Sequence, residues 1–142
     1  MMIDVEAFSI SKKLFATLVH HAMKVAPYES VAIIAGKVKG KKAIAKRVFT
    51  PENTDNSTVS FTVDPIILLT IYLEIEQREE QLIGIYHTHP ASPYPSSTDR
   101  RYMEVNPCVW LISSTRNPAQ PKGFLLQEDG RLKEVIINFT EK

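Results

Sequence analysis

Between His87 and Asp99 the chain reads HTHPASPYPSSTD, and these thirteen residues contain the groups best suited to chemistry. The run Leu82-Ile83-Gly84-Ile85-Tyr86 leads into them as a strand. Strand side chains alternate between faces, so His87 and His89 point the same way. Neutral imidazole is a preferred ligand of divalent zinc. Pro90 biases His89 away from helical dihedrals and carries the extended geometry through the second histidine. Asp99 lies ten residues past His89, where the loop should turn into a helix. Its carboxylate would complete a three-ligand set and leave one coordination position for water.

Each part also has a plainer meaning. A His-x-His pair arises by chance, and Ser96-Ser97-Thr98-Asp99 is a helix N-capping pattern. What favours a metal site is the concentration of all these parts with Pro90, Pro93 and Pro95, because solvated loops seldom carry three prolines unless their path is fixed. Glu29 joins the set from far upstream. It stands at the entry to the apolar run Val31-Ala32-Ile33-Ile34-Ala35-Gly36, just after Pro27. Taken alone it is a solvated carboxylate at a strand entry. Beside a metal-water site it becomes a candidate base that takes a proton from water and returns it to a leaving amine.

The remaining composition sets bounds. A chain of 142 residues with 44% hydrophobic content fits one domain over residues 1–142, with a core that needs no disulfide staples. The lone cysteine, Cys108, excludes an intramolecular disulfide and any Cys-x-x-Cys metal knuckle, and it reads as a buried thiol rather than a nucleophile. A net charge of +1 argues against nucleic acid as the main partner. The N-terminus lacks the apolar stretch of a secretion signal and nothing approaches the length of a membrane span, so a cytoplasmic protein with no membrane partner is expected.

The elements that must position these groups follow in order. Ile3 to Ile10 alternates as a strand, Ser11 caps a helix over Lys12–Ala26, and Leu14, Phe15, Leu18, Ala22 and Val25 form its apolar stripe. His20 and His21 on that helix face about 100° apart and cannot converge on one metal. Lys37 to Arg47 reads as a hairpin turning near Gly40 with a charged face, either a soluble edge or a dock for an acidic partner. Thr50 to Thr58 reads as an exposed loop and Val59 to Val63 as a strand. Asp64-Pro65 starts a helix over Ile66–Glu80. Its apolar first half is expected to be covered on more than one side, and its glutamates to fray the C-terminal end. A short helix over Thr98–Val105 follows, then a central strand at Val109–Ser113 and a loop at Ser114–Lys122 placed to help hold substrate. Strands at Gly123–Gln127 and Leu132–Phe139 flank the turn at Asp129-Gly130. The order gives a mixed α/β layered protein with helices packed on a largely β centre.

Glu29, Gly36, His-Thr-His-Pro at 87–90 and Pro-Ser-Ser-x-Asp ending at Asp99 resemble the JAMM (MPN+) family of zinc metalloproteases. The likeness runs from Ala26 to Gly36 and from Phe61 to Asp99. It implies a three-layer α/β/α, cytidine-deaminase-like fold with a mixed central sheet, although the zinc deaminases themselves are excluded because Pro-Cys-x-x-Cys is absent. It also implies zinc held by His87, His89 and Asp99, with Glu29 as general base and then acid. Ser96 would donate a hydrogen bond to the oxyanion. Only four residues, Ala91 to Tyr94, separate HTHP from PSS, where many members have five, so Ser96 and Ser97 both stand as candidates and Ser96 keeps the spacing to Asp99.

The implied reaction is hydrolysis of isopeptide or peptide bonds at the C-terminal tail of a ubiquitin-like small modifier or its conjugates. Two alternatives stand beside it: a zinc hydrolase that releases an amino acid or small group from a sulfur-carrier protein, and a catalytically silent MPN scaffold. The long insertions by which eukaryotic members grip ubiquitin are lacking, and a homodimer is an open assembly state.

Overall fold

Ser11 serves two elements at once. It is the last residue of a strand, and its hydroxyl accepts the Leu14 N–H at 3.1 Å, so the chain turns directly into a helix. In the computed structural model, which describes residues 3–55, 57 and 62–141, the elements are β1 (Ala7–Ser11), α1 (Lys12–Val25), β2 (Val31–Lys39), β3 (Lys42–Phe49), α2 (Pro65–Gln77), β4 (Gln81–His89), α3 (Ser97–Val105), β5 (Val109–Ser114), β6 (Lys122–Leu126) and β7 (Leu132–Thr140). The strands run β1-β3-β2-β4-β5-β6-β7, and β1 also pairs with β7, so the sheet closes on itself. The result is a mixed α/β fold of a closed sheet and three helices among the described residues.

The strand β4 lies between an antiparallel partner, β2, and a parallel one, β5. A parallel pair needs a crossover, and α3 supplies it. Register shifts at Ile34/Ala35 against β4 and at Ala35/Gly36 against β3 bend β2 where the sheet curls. At Gly36 a Cβ would stand 1.9 Å from the Ile44 carbonyl oxygen, so the close approach of β2 and β3 requires a glycine there.

Helix α1 buries Phe15, Leu18 and Ala22, and the Phe15 ring meets Tyr86 of β4 edge-on. Helix α2 packs elsewhere, placing Ile71 and Ile75 on Ile33 and Ala35. Pairing partners share a face, so Ile33 and Ile85 lie on the side of β4 that carries His87, opposite the Tyr86 side. Trp110, Phe8 and Phe124 are fully buried in the main core, and Cys108 is buried with them. Burial pushes the Cys108 thiol up, in keeping with an inert core group. No helix among the described residues is long and apolar enough to cross a membrane.

Several expectations need correction. The first strand starts at Ala7 rather than Ile3; Ile3 and Val5 are buried, but Glu6 and Ala7 send their N–H groups to the Lys41 carbonyl in the β2–β3 turn. Of the strand expected at Val59–Val63, Val59, Ser60 and Phe61 lie outside the described residues, and Thr62 and Val63 are not in a strand. The third helix begins one residue early, at Ser97. The loop from Thr50 is not uniformly exposed, because Pro51 and Asn53 are buried.

Helix α2 departs most. Its entry is as read, with the Asp64 carboxylate accepting the Ile66 and Ile67 N–H groups and Pro65 at the first position. Its apolar first half, however, is covered on one side only: Ile66 is 75% and Leu69 56% exposed. An apolar residue on every side of a helix does not create a partner for every side. Its C-terminus closes tidily instead of fraying. The Glu80 N–H donates to the Ile75 carbonyl at 3.1 Å and the Glu79 N–H to the Glu76 carbonyl at 3.0 Å, with Glu79 left-handed at φ 56°. This is a Schellman closure with glutamate where glycine is usual. Glu80 then turns to pair with Arg47 at 3.1 Å.

Replacing the left-handed glutamate by glycine removes the Cβ penalty of that conformation. Glu79→Gly is therefore expected to raise unfolding stability by about 1 kcal/mol, measured as a higher urea midpoint at unchanged slope.

Candidate active site

At the C-terminal end of β4, His87 and His89 project from one face as strand alternation requires, with ring centroids 5.5 Å apart. Val31, two residues after Glu29, pairs directly with His87, so the β2–β4 register carries Glu29 up to the histidines. Asp99 arrives from the other side, in the first turn of α3. All four side chains are buried: His87 is 0%, Glu29 3%, Asp99 3% and His89 5% exposed.

The His87 ring is oriented from behind. Its Nδ1–H donates to the Ser30 carbonyl at 3.1 Å, a backbone contact of the kind that fixes the tautomer of metal-binding histidines. Its Nε2 then faces Asp99 Oδ1 at 3.0 Å and Glu29 Oε1 at 3.4 Å. His89 Nε2 lies 3.4 Å from Asp99 Oδ2 and donates to the Tyr94 carbonyl at 3.0 Å. His89 Nδ1 is buried with no hydrogen-bond partner among the described residues. Asp99 is held by a capping box: its N–H donates to Ser96 Oγ at 3.0 Å, and the Ser96 N–H donates to Asp99 Oδ2 at 3.0 Å.

The electrostatics follow from these contacts. Burial pushes the Glu29 carboxyl up to about 7, with the charge of Asp99 adding to the rise and the two histidines opposing it. Burial would raise Asp99 as well. Hydrogen bonds from His87 and His89, the charge of His87 and the Ser96 N–H outweigh it and hold that carboxyl far below the usual range. The hydrogen bond to Asp99 raises His89 against its own burial. One glutamate poised near neutrality and one firmly ionised aspartate are two carboxyls suited to two different tasks.

A nitrogen facing two carboxylate oxygens in a buried site needs positive charge between them, either a proton or a cation. Ligand atoms of His87, His89 and Asp99 all lie within 4.8 Å of one another. Two ligands on a tetrahedral zinc, each at roughly 2.0–2.1 Å, stand roughly 3.3 Å apart. The 3.0 Å between His87 Nε2 and Asp99 Oδ1 is close to that spacing. The donor set and its geometry therefore fit a cation.

Glu29 is set by a segment distant in sequence. The Ala26–Pro27 peptide is cis in the turn after α1, and the Glu29 N–H donates to the Ser57 carbonyl at 2.8 Å. Its carbonyl accepts from Asn53 Nδ2 at 3.0 Å. Ser30, next in sequence, is clasped to β4: its N–H donates to Thr88 Oγ1 at 3.0 Å and the two hydroxyls meet at 2.8 Å. Asn53, Ser30 and Thr88 were not singled out from the sequence. Strand alternation alone could have flagged Thr88 as the residue facing away from its two histidine neighbours. Ser96 and Ser97, the two candidates for an oxyanion donor, are both exposed; Ser97 is the first residue of α3, and Ser96 is its N-cap and part of the capping box.

The loop after β5 borders the same end of the sheet. The Thr115 N–H donates to the His89 carbonyl at 2.8 Å, and the Pro118 carbonyl accepts from both Tyr86 Oη at 2.7 Å and Ser113 Oγ at 3.0 Å. On the histidine face, a cleft of about 240 Å³ opens beside the site, lined by Val31, Ile85 and Trp110 with Tyr72 of α2 and Tyr102 of α3.

Residues 11–126 match the family described as prokaryotic homologs of the JAB domain, and the chain belongs to that family, as the JAMM resemblance implied. Among its relatives, a desampylase from Pyrococcus furiosus is 34% identical over 116 residues, 81% of each chain. A CysO-cysteine peptidase from Mycobacterium tuberculosis is 27% identical over 136 residues, covering 94% of this chain and 91% of that one. A solution structure of a Desulfitobacterium hafniense protein superimposes with a TM-score of 0.81 at 30% identity, over 95% of this chain and 94% of the other. Relatives named as a desampylase and a peptidase support a hydrolase here.

Thr88→Val keeps the shape of the side chain but strips the buried Ser30 N–H and hydroxyl of their partner. It is expected to cost about 2 kcal/mol, read as a lower denaturation midpoint.

Proposed function

We propose that the protein is a zinc-dependent isopeptidase or peptidase that hydrolyses the bond at the C-terminal tail of a ubiquitin-like small modifier protein. The observation that carries this reading is the buried Glu29 carboxyl, pushed up to about 7, 3.4 Å from the Nε2 of a histidine that also faces Asp99. In this proposal His87, His89 and Asp99 hold the zinc, and the domain spans residues 1–142 in the three-layer, cytidine-deaminase-like arrangement that the family resemblance implies. Zinc, when bound, supplies Lewis-acid polarisation and makes water acidic enough to react near neutral pH.

The residues of the chain do the rest. Glu29 accepts a proton from the attacking water and hands it to the departing amine, a relay that needs a carboxyl poised near the working pH. The Ser96 oxygen already accepts the Asp99 N–H, so its own proton is left to donate to the oxyanion. The apolar cleft on the histidine face receives the substrate chain. A catalytically silent scaffold is disfavoured because all four ionisable positions are occupied and converge. A second reading, release of an amino acid from a sulfur-carrier protein, is favoured by the relative named CysO-cysteine peptidase.

Purified protein is expected to carry one zinc per chain and to cleave ubiquitin-like conjugates, losing that activity to a chelator. Glu29→Gln should keep the metal and lose cleavage, whereas His87→Ala should lose both; normal turnover by Glu29→Gln would overturn the assignment. Activity on a carrier-linked amino acid with none on protein conjugates would select the second reading.

Ser96→Ala should lower kcat by about 100-fold, while Ser96→Thr, which keeps both the cap and the donor, should retain most of it. Metal content and melting temperature of the two variants separate loss of the cap from loss of the oxyanion donor.

A further inference from the structure

Glu29 sits two residues before the β2–β4 ladder begins, so neither of its backbone groups has a ladder partner. Both go instead to the segment between β3 and α2: the N–H to the Ser57 carbonyl and the carbonyl to the side chain of Asn53. Asn53 is 8% exposed, and its amide is used at both ends. While Nδ2 donates to Glu29, Oδ1 accepts the Asp55 N–H and the Thr62 N–H, each at 3.0 Å. The Thr54 N–H and hydroxyl both donate to the Thr62 carbonyl, at 2.9 and 3.1 Å, which ties the two sides of the loop together beside Asn53. One side chain thus gathers a loop through its oxygen and attaches that loop to the Glu29 backbone through its nitrogen.

We propose that Asn53 is a positioning residue for Glu29, setting the reach of that carboxyl toward His87 from a loop distant in sequence, and so acts on turnover rather than on metal or substrate binding. The proposal rests on Glu29 being the proton carrier of the proposed function. The need for such a brace is geometric. Glu29 follows a turn and precedes a strand, and the clasp between Ser30 and Thr88 holds only the next residue. Without Asn53 the Glu29 peptide keeps one of its two anchors, and a shift on the order of 1 Å in a reacting group costs about 100-fold in rate.

The chemistry of the amide supplies the test. Ionised aspartate at position 53 keeps the oxygens that accept the Asp55 and Thr62 N–H groups but has no donor for the Glu29 carbonyl, and the kinetics are read well above the carboxyl's titration range to hold it so. Asn53→Asp therefore retains the loop and cuts the attachment, whereas Asn53→Ala removes both. Purified wild type, Asn53→Asp, Asn53→Ala and Glu29→Gln would be compared for zinc content, melting temperature, kcat and KM on one cleavable conjugate, and for hydrogen exchange at the Glu29 amide. The expected result for Asn53→Asp is wild-type zinc content and KM within about twofold, kcat lower by about 10- to 100-fold, and exchange at the Glu29 amide close to wild type, since its bond to the Ser57 carbonyl remains. Asn53→Ala, which also releases the loop that carries Ser57, should show the same loss of kcat with faster exchange at the Glu29 amide and a lower melting temperature.

Wild-type kcat in Asn53→Asp with Glu29→Gln inactive would overturn the positioning role and leave the function of Glu29 intact. So would a loss of kcat matched by loss of zinc, or a Glu29 amide as protected in Asn53→Ala as in wild type. Normal turnover by Glu29→Gln would instead remove the proposed function and this inference with it. If Asn53→Asp does not fold, the amide exchange and the kcat-against-KM split in Asn53→Ala decide the matter on the same terms.

Discussion

The pairing of Val31 with His87 is the constraint on which the site depends. A slip of one residue in that register would turn every side chain of β2 to the opposite face. It would also carry Glu29 away from the imidazole. The clasp between Ser30 and Thr88 lies one step along from that pair and locks the same register through buried hydroxyls. The residues between and beside the histidines are therefore structural in their own right, and the central strand is stabilised by the contacts that aim its functional groups.

Asp99 shows how a capping role and a chemical role coincide. Its carboxylate completes the N-terminal turn of α3 by accepting from Ser96, and from the same position it reaches both imidazoles. The two meanings of Ser-x-x-Asp are thus not rivals in this protein. A helix N-terminus also favours negative charge, so the backbone helps keep the Asp99 carboxyl ionised, while burial lifts Glu29 toward neutrality. Two acids a few ångströms apart are separated in behaviour by what surrounds them.

The parts of this arrangement legible in the sequence are those set by local geometry. The facing of His87 and His89 follows from strand alternation, the Asp64-Pro65 start from capping chemistry, and the Asp99 turn from its spacing to Ser96. Glu29 could be picked out because Pro27 ends a helix and an apolar strand begins at Val31. What stayed hidden depends on contacts across long stretches of chain. Asn53 looked like ordinary loop polarity, and its partner is 24 residues away. The open face of α2 was hidden for a different reason: hydrophobicity shows what a helix could bury, not whether the fold supplies a surface against it. Closure of the sheet is likewise invisible locally, because it needs β1 to meet β7 across nearly the whole chain.

The segment after β5 was expected to lie near the site, and the way it is tied down says how that side of the site behaves. A single proline carbonyl receives two hydroxyls from neighbouring strands, and the backbone of the second histidine takes a further bond from Thr115. A border anchored at three points forms a doorframe rather than a door. Guests meeting it forfeit little protein entropy on arrival, and discrimination on that side falls to shape already present before the encounter.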